Sequence, residues 1–175
     1  MLVNFTEQFQ KGMTGFQRMV EILDTEPEVQ DRPNAIEADV LNGDIEFLDV
    51  SFRYNDEEPV LENIRTSISS GSTVALVGPS GAGKSTFVSL IPRFYDVTSG
   101  QVTVDGIDVR DMTLKSLRAN IGVVQQDVYI FNSSVRDNIA YGRPGANDED
   151  IISAAKDANI HDFIMTLPQG YDTMM

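Results

Sequence analysis

The sequence has no cysteine, a single histidine and few basic residues, and these shortages exclude several classes of protein. Without cysteine the chain has no disulfide, no thiol nucleophile, and neither a zinc finger nor an iron–sulfur cluster. Thirteen Lys and Arg against 27 Asp and Glu give a net charge of −14. Non-specific nucleic-acid binding depends on basic side chains that neutralise phosphates, so we expect no nucleic-acid partner.

Long apolar runs are also missing. The longest wholly apolar run is residues 74–77, whereas a helix that crosses a bilayer needs about 20 apolar residues. The chain does not open with a basic and then apolar leader. We therefore expect no membrane span and no export leader in these 175 residues, although a hydrophobic fraction of 41% is enough to build a core.

The acidic charge lies mostly outside the middle of the chain. Residues 72–143 hold seven basic and six acidic side chains, so the excess of acid lies on either side of them. Most of the glycines and the strongest motif lie in this near-neutral part. A local anion site is therefore compatible with the acidic whole.

The first 43 residues divide into an amphipathic helix and a linker. Apolar residues recur at spacings of three and four, which is a helical period, at Leu2, Phe5, Phe9, Phe16, Met19 and Leu23. Residues 27–43 have prolines, acidic residues and no clear period, which is typical of a linker. The helix either packs on its own domain or belongs against a larger partner. A domain boundary is predicted near residue 43.

Beyond residue 43 the pattern alternates between strands and helices. Strands are predicted at 45–54, 64–68, 73–77, 102–104, 107–109 and 121–124, with a bulge near Leu48 and Asp49. The pair Asp105-Gly106 predicts a two-residue hairpin. Helices are predicted at 114–118, from a cap at Ser133 or Ser134 to Ile139, and at 151–158, where Asn147 and Asp150 resemble a capping box.

The decisive motif is a glycine-rich loop that follows the strand predicted at 73–77. It fits G-x-x-x-x-G-K-[ST] at every specified position and reads Gly78, Pro79, Ser80, Gly81, Ala82, Gly83, Lys84, Ser85, Thr86. Small residues let backbone N–H groups curl around a phosphate chain, and Lys84 adds a cation for the β- and γ-phosphates. The Ser85 hydroxyl is placed to ligate Mg²⁺, and Thr86 can reach the α-phosphate. The dinucleotide fingerprint G-x-G-x-x-G does not fit these glycines.

Several separated motifs, taken together and in order, resemble the ATP-binding cassette (ABC) ATPases, specifically the nucleotide-binding domains of ABC exporters of the multidrug and lipid-flippase type. They are FQRMVEILDTEPEV, the Phe52-Arg53-Tyr54 stretch, GPSGAGKST, LIPRFYDVTSG, the Asp-Gly hairpin, VVQQDVYIFNSSVRDNIAYG and LPQGYDT. The resemblance implies an α/β fold of the P-loop NTPase (ABC ATPase) class, incomplete, with an antiparallel β subdomain and the start of a helical subdomain. It makes residues 1–43 a linker helix after a transmembrane domain, and residues 44–175 the N-terminal part of a nucleotide-binding domain.

The resemblance also implies site residues. The phosphate loop binds ATP, and Tyr54 stacks on adenine, an interaction worth about 1–3 kcal/mol. Gln126 joins Ser85 in the Mg²⁺ shell and senses the γ-phosphate. Its neighbour Gln125 competes for this role and ranks equally on the residues alone, but the Asp127 that follows Gln126 matches the family pattern. The stretch 127–138 resembles the surface that receives a coupling helix, with an ordinary solvated loop as the alternative.

Three elements that the family uses in hydrolysis do not occur in the sequence: the LSGGQ signature, an apolar run that ends in Asp-Glu, and a switch histidine. His161 lies in a helical stretch and is interpreted as structural or surface. The resemblance implies that the chain stops just before the signature. It also implies that the chain binds Mg·ATP weakly and does not hydrolyse it. It also implies that a strand is missing beside the phosphate-loop strand, leaving apolar surface uncovered.

For the parent protein, the resemblance implies ATP hydrolysis coupled to export of a lipophilic drug or lipid at the cytoplasmic face of the cell membrane. The implied partners are a transmembrane domain and a second nucleotide-binding domain in an ATP-sandwich dimer. One alternative is a non-transport ABC ATPase acting on nucleic acid, which the acidic charge disfavours. Another is a small-molecule kinase or GTPase, disfavoured because Asn147 is followed by Asp148 and no N-K-x-D motif occurs. A third alternative is a fragment whose role is binding only.

Overall fold

The computed structural model describes residues 2–55, 58–125 and 128–175, with side chains in the first helix from residue 9 onward. The chain forms two compact units, residues 1–122 and residues 123–175.

The first unit opens with helix α1, Leu2–Leu23, as the apolar spacing predicts. The side chains of Leu2 and Phe5 lie outside the described part, but Phe16, Met19 and Leu23 are all at least half exposed. The apolar stripe therefore faces solvent in this structure. Among the described residues, no helix combines the length and the apolar character needed to cross a membrane.

A four-stranded antiparallel sheet is the framework of the first unit. Its strands are β1 (Ile45–Phe52), β2 (Leu61–Ile68), β3 (Ser99–Val104) and β4 (Ile107–Asp108), in the order β2-β1-β3-β4. The predicted bulge is confirmed, because the β1 register shifts between Phe47 and Val50, and Asp49 has a φ of 51°. A Cβ at Gly100 would collide with the carbonyl oxygens of Leu48 and Asp49, so β3 can pass the bulge only with glycine there.

The predicted Asp-Gly hairpin is also confirmed. Asp105 and Gly106 have φ angles of 51° and 77°, the left-handed pair that a tight two-residue turn needs. The Asp105 carboxylate accepts hydrogen bonds from the backbone N–H groups of Asn42, Gly43 and Asp44 at 2.6–3.0 Å. These bonds, that from Asp44 above all, lower the pKa of Asp105. The hairpin turn thereby holds the end of the linker.

The core of this unit lies between the sheet and two short helices. These are α2 (Lys84–Leu90) and α3 (Leu114–Ala119), the latter as predicted. Phe47 from β1 stacks on Phe87 from α2, with ring centroids 4.0 Å apart and an interplanar angle of 12°. Other fully buried side chains in the same cluster are Val50, Leu90, Val102, Met112 and Leu117.

The strands predicted at 73–77 and 121–124 are wrong. Both segments lack regular secondary structure, and Val77 and Val124 are 90% and 98% exposed. Val74, Leu76 and Val77 instead line a cleft of about 330 Å³ with apolar side chains of β2. A β-branched run becomes a strand only when a neighbour takes up its backbone hydrogen bonds, and no segment in the described part of the chain pairs with either run.

The second unit is helical and small. It contains α4 (Val135–Ala140), α5 (Asp148–Asp157) and α6 (His161–Thr166) around a core of Val135, Ile151, Ala155, Ile164 and Tyr171. Ser134 and not Ser133 caps α4, in a reciprocal capping box with Asp137. Asn147 caps α5, so that helix begins three residues before the predicted Ile151. The ring Nδ1 of His161 lies 2.9 Å from the Tyr171 hydroxyl, which gives the only histidine a structural role, as predicted.

The linker between α1 and β1 is not free, although it forms no helix. Ile36 makes a parallel bridge with Met112, and the N–H of Ala38 donates to the Ser116 hydroxyl. The N–H of Leu114 donates to the Asp31 carboxylate at 2.7 Å. The linker therefore belongs structurally to the first unit from about residue 30 onward.

The buried side chain of Arg93 connects this linker to the segment after α2. Its guanidinium donates two hydrogen bonds to the Asp96 carboxylate, at 2.6 and 3.0 Å, and one to the Gln30 carbonyl at 3.0 Å. The side chain is only 3% exposed, and Nη1 has no hydrogen-bond partner in the described part of the chain. Arg93 also has a φ of 52°, an uncommon conformation for a non-glycine residue.

Replacing Arg93 should loosen the linker and destabilise the first unit. We expect Arg93→Met to lower the free energy of unfolding by about 1.5–3 kcal/mol, because it removes the charged hydrogen bonds to Asp96 and to the Gln30 carbonyl. Arg32→Met is the matched control, since the Arg32–Asp111 ion pair is about half exposed on both sides and should contribute less than about 1 kcal/mol. Urea unfolding and amide hydrogen exchange around residues 30–38 measure both effects. Equal losses in the two variants would contradict this role for Arg93.

Candidate functional site

The glycine-rich loop of residues 78–83 leads directly into α2. Gly81 and Gly83 have φ angles of 82° and 77°, in the region that side chains other than glycine rarely adopt. Gly83 is also tightly enclosed: a Cβ there would lie 2.8 Å from Leu61 Cδ2 and 3.0 Å from the Val60 carbonyl oxygen. Gly81 has open space around it. The loop thus has one glycine fixed by packing and one needed only for backbone shape.

The ammonium group of Lys84 lies over the loop. Its Nζ donates hydrogen bonds to the carbonyl oxygens of Gly78 and Pro79, at 2.9 and 2.6 Å. A lysine ammonium has three hydrogens, so one donor remains for another group. Within the loop itself, the N–H of Ala82 donates to the Pro79 carbonyl at 3.3 Å. The arrangement holds a positive charge at the mouth of the loop.

The two hydroxyl residues that follow Lys84 differ in their surroundings. Ser85 is exposed, and its hydroxyl makes no hydrogen bond to any residue that the structure describes. Thr86 is buried, and its Oγ1 lies 2.9 Å from the Tyr54 hydroxyl. The structure therefore brings together two predicted site residues that are 32 positions apart.

Tyr54 stands in a group of three aromatic rings. The centroid of its ring lies 4.9 Å from that of Phe52, with an interplanar angle of 88°, and 5.1 Å from that of Tyr95, with an interplanar angle of 87°. Both are edge-to-face contacts. The rings of Phe52 and Tyr95 are 5.6 Å apart. Tyr54 stays 55% exposed, which leaves area on which a flat ligand can stack.

One predicted site residue, Gln126, lies outside the described residues together with Asp127. One neighbour of the site, Tyr95, was missed by the sequence analysis. The signal was present in the stretch RFYD directly after α2, but nothing in the sequence places that stretch beside Tyr54.

The part of the site that the structure describes offers a divalent cation few protein ligands. The described residues contain no group of three His, Asp or Glu side chains that could hold a metal. Mg²⁺ in nucleotide sites is commonly bound by one or two protein oxygens, phosphate oxygens and water. The exposed hydroxyl of Ser85 fits such a shell as one protein ligand to a cation that arrives with a phosphate chain.

Comparisons with known proteins give a consistent result. A sequence profile of the family described as ABC transporter matches residues 61–174. An uncharacterised ABC transporter ATP-binding protein of Bacillus subtilis is 50% identical over 169 residues, 97% of this chain and 29% of that protein. An ATP-dependent lipid A-core flippase of Syntrophus aciditrophicus is 50% identical over 174 residues, 99% of this chain and 29% of that protein.

A solved structure of a bacterial Atm1-family ABC exporter with ATP bound is similar in fold, with a TM-score of 0.85 and 44% identity. The match covers 94% of this chain and 29% of that one. The chain thus spans less than a third of the length of the curated relatives named above.

The two loop glycines should differ in how much stability they lose on substitution. We expect Gly81→Ala to cost about 1–2 kcal/mol, for the left-handed backbone alone. Gly83→Ala should cost at least about 1 kcal/mol more, because its Cβ would overlap Leu61 and the Val60 carbonyl. Urea unfolding of the two variants measures this difference. Equal costs would mean that β2 does not pack on the loop as described.

Proposed function

Since the chain belongs to the ABC transporter family and has its ATPase-domain fold, we propose that it binds Mg·ATP between Tyr54 and the phosphate loop of residues 78–86. The family match and the similar fold of the Atm1-family exporter confirm the predicted P-loop NTPase (ABC ATPase) class. Membership of the family implies nucleotide binding. What we propose is which residues bind the nucleotide. The observation that supports it best is the 2.9 Å contact between the Tyr54 hydroxyl and Thr86 Oγ1, which joins the base platform to the loop.

Each part of the site has a defined task in this proposal. Tyr54 offers its exposed ring to adenine. Lys84 exchanges its bonds to the Gly78 and Pro79 carbonyls for the β- and γ-phosphate oxygens. Thr86 turns its hydroxyl from Tyr54 to the α-phosphate. Ser85 would hold Mg²⁺, which would neutralise phosphate charge, and the second ligand that the resemblance implies, Gln126, lies outside the described residues.

Binding without turnover is the activity that we propose for this chain alone. Hydrolysis requires a group that orients the attacking water, as well as phosphate and metal ligands. The sequence contains neither the apolar run ending in Asp-Glu nor the LSGGQ signature. Its one histidine, His161, is engaged by Tyr171 in the second unit.

For the whole protein, we propose an exporter that couples ATP hydrolysis to the movement of a lipophilic drug or lipid. The supporting observation is the likeness to a lipid A-core flippase and to a putative multidrug export ATP-binding/permease protein of Bacillus subtilis. In this proposal residues 1–43 are the linker from a transmembrane domain, and residues 44–175 lie at the cytoplasmic face of the membrane and pair with a second nucleotide-binding domain. The exposed side chains of Val128, Tyr129 and Ile130 are suited to receive a segment of the transmembrane domain.

The phosphate loop can be tested through Lys84. At a concentration 100 times its dissociation constant, Mg·ATP should stabilise the wild-type chain by about 2.7 kcal/mol. We expect Lys84→Ala to weaken Mg·ATP binding about 10- to 100-fold, because a charged hydrogen-bond donor is lost. Lys115→Ala, on the exposed side of α3, is the matched control and should bind as the wild type does. Calorimetric titration measures the affinity.

The same proteins test for hydrolysis. We expect phosphate release at the buffer rate for the wild type and for Lys84→Ala. Turnover by the wild type that disappears in Lys84→Ala would contradict the proposal of binding alone. The absence of any thermal stabilisation by millimolar Mg·ATP would contradict the site as a whole.

The base platform can be tested through Tyr54. We expect Tyr54→Ala to weaken Mg·ATP binding about 5- to 150-fold, the loss of one stacked base, and to leave the affinity for magnesium tripolyphosphate unchanged. Tyr54→Phe keeps the ring and loses only the contact with Thr86, so it should stay within a few-fold of the wild type. Titration of both ligands against each variant gives the answer. An equal loss for tripolyphosphate would show that Tyr54 does not act on the base.

A further inference from the structure

We propose that Tyr95 is a positioning residue for adenine: its ring fixes the plane of Tyr54, the base platform. This inference rests on the proposed ATP site and adds a residue to it. The observation that supports it is the contact between the rings of Tyr54 and Tyr95, whose centroids lie 5.1 Å apart with an interplanar angle of 87°. Phe52, buried at the end of β1, makes a similar contact with Tyr54 at 4.9 Å and 88°.

Tyr54 needs such support because it lies beyond the strand. The last residue of β1 is Phe52, so no sheet hydrogen bond holds Tyr54 in place, and its side chain is 55% exposed. A tyrosine that turns freely must give up that freedom when a base stacks on it, and a ring already held in place gives up less. Phe52 is supplied by the same strand. Tyr95 is the aromatic contact from a distant part of the chain, in addition to the hydroxyl contact with Thr86.

The segment that carries Tyr95 is firmly held on both sides. Arg118 donates from Nε to the Pro92 carbonyl at 3.0 Å and from Nη2 to the Arg93 carbonyl at 2.8 Å. Its guanidinium also lies over the Phe94 ring, 5.2 Å from the centroid. On the other side, Asp96 is bound by the buried guanidinium of Arg93. Tyr95 thus lies between anchored neighbours, which suits a fixed wall for Tyr54.

The chemistry of Tyr95 limits what it can affect. The side chain is 38% exposed, so it is not one of the core residues on which folding depends. Its removal takes away ring contacts and leaves Lys84, the charged side chain of the phosphate loop, in place. Loss of Tyr95 should therefore be felt by ligands that carry a base and not by the phosphate chain alone.

The experiment measures the dissociation constants of Mg·ATP and magnesium tripolyphosphate for the wild type, Tyr95→Ala and Tyr95→Phe. We expect Tyr95→Ala to weaken Mg·ATP binding about 2- to 10-fold, the range of one edge-to-face ring contact. Tripolyphosphate binding should stay within twofold, and Tyr95→Phe should restore the wild-type affinity for ATP. In a Tyr54→Ala background, Tyr95→Ala should cause no further loss, because its effect passes through Tyr54.

A second measurement needs no ligand. The chain has no tryptophan, so Tyr54→Trp introduces a single reporter at the platform. The steady-state anisotropy of its emission should fall when Tyr95→Ala is added and stay unchanged with Tyr95→Phe. Tyr95→Leu, which keeps apolar bulk without a ring, replaces the alanine variant if circular dichroism shows that Tyr95→Ala is unfolded.

The outcomes separate this inference from the proposed ATP site. No binding of Mg·ATP by the wild type, or no effect of Tyr54→Ala, would overturn the site and the inference together. If those results are as expected, three others overturn the inference alone. They are a Tyr95→Ala affinity equal to the wild type, an equal loss for tripolyphosphate, and an undiminished loss in the Tyr54→Ala background.

Discussion

The stacking of Phe47 on Phe87 is the contact on which the site depends. Phe47 is completely buried in β1, one of the two inner strands of the sheet, and Phe87 lies in the first turn of the helix that follows the phosphate loop. Because β1 ends shortly before Tyr54 and α2 begins at Lys84, this contact, together with the packing of Gly83 against Leu61, sets the position of the base platform relative to the loop. The hydroxyl pair of Tyr54 and Thr86 is the visible result.

Features set by local chemistry could be predicted from the sequence. The Asp105-Gly106 turn and the helix cap, predicted at Ser133 or Ser134 and found at Ser134, each depend on residues within a few positions of one another. The glycine-rich loop is another case, because it needs small residues and a lysine at fixed spacing whatever the rest of the chain does. The β1 bulge follows from a shift of phase that the alternation itself displays.

Features set by distant partners could not be predicted. Residues 73–77 have the composition of a strand, yet composition does not supply the neighbour that a strand must pair with. The docking of the linker rests on single contacts, such as Gln30 to Arg93, which have no period to detect. Tyr95 belongs to the same class, since the three-ring group forms only after folding. Gln126 remains a prediction from resemblance, outside the described residues.

The buried guanidinium of Arg93 has a consequence for the linker that it holds. One of its nitrogens, Nη1, is buried with no hydrogen-bond partner in the described part of the chain, so its hydrogen bonds within that part all come from Nε and Nη2. Nη2 donates both to the Gln30 carbonyl of the linker and to the Asp96 carboxylate, so the two partners share one donor group. Arg93 therefore connects the backbone of the linker at Gln30 to the residue next to Tyr95 through one buried side chain.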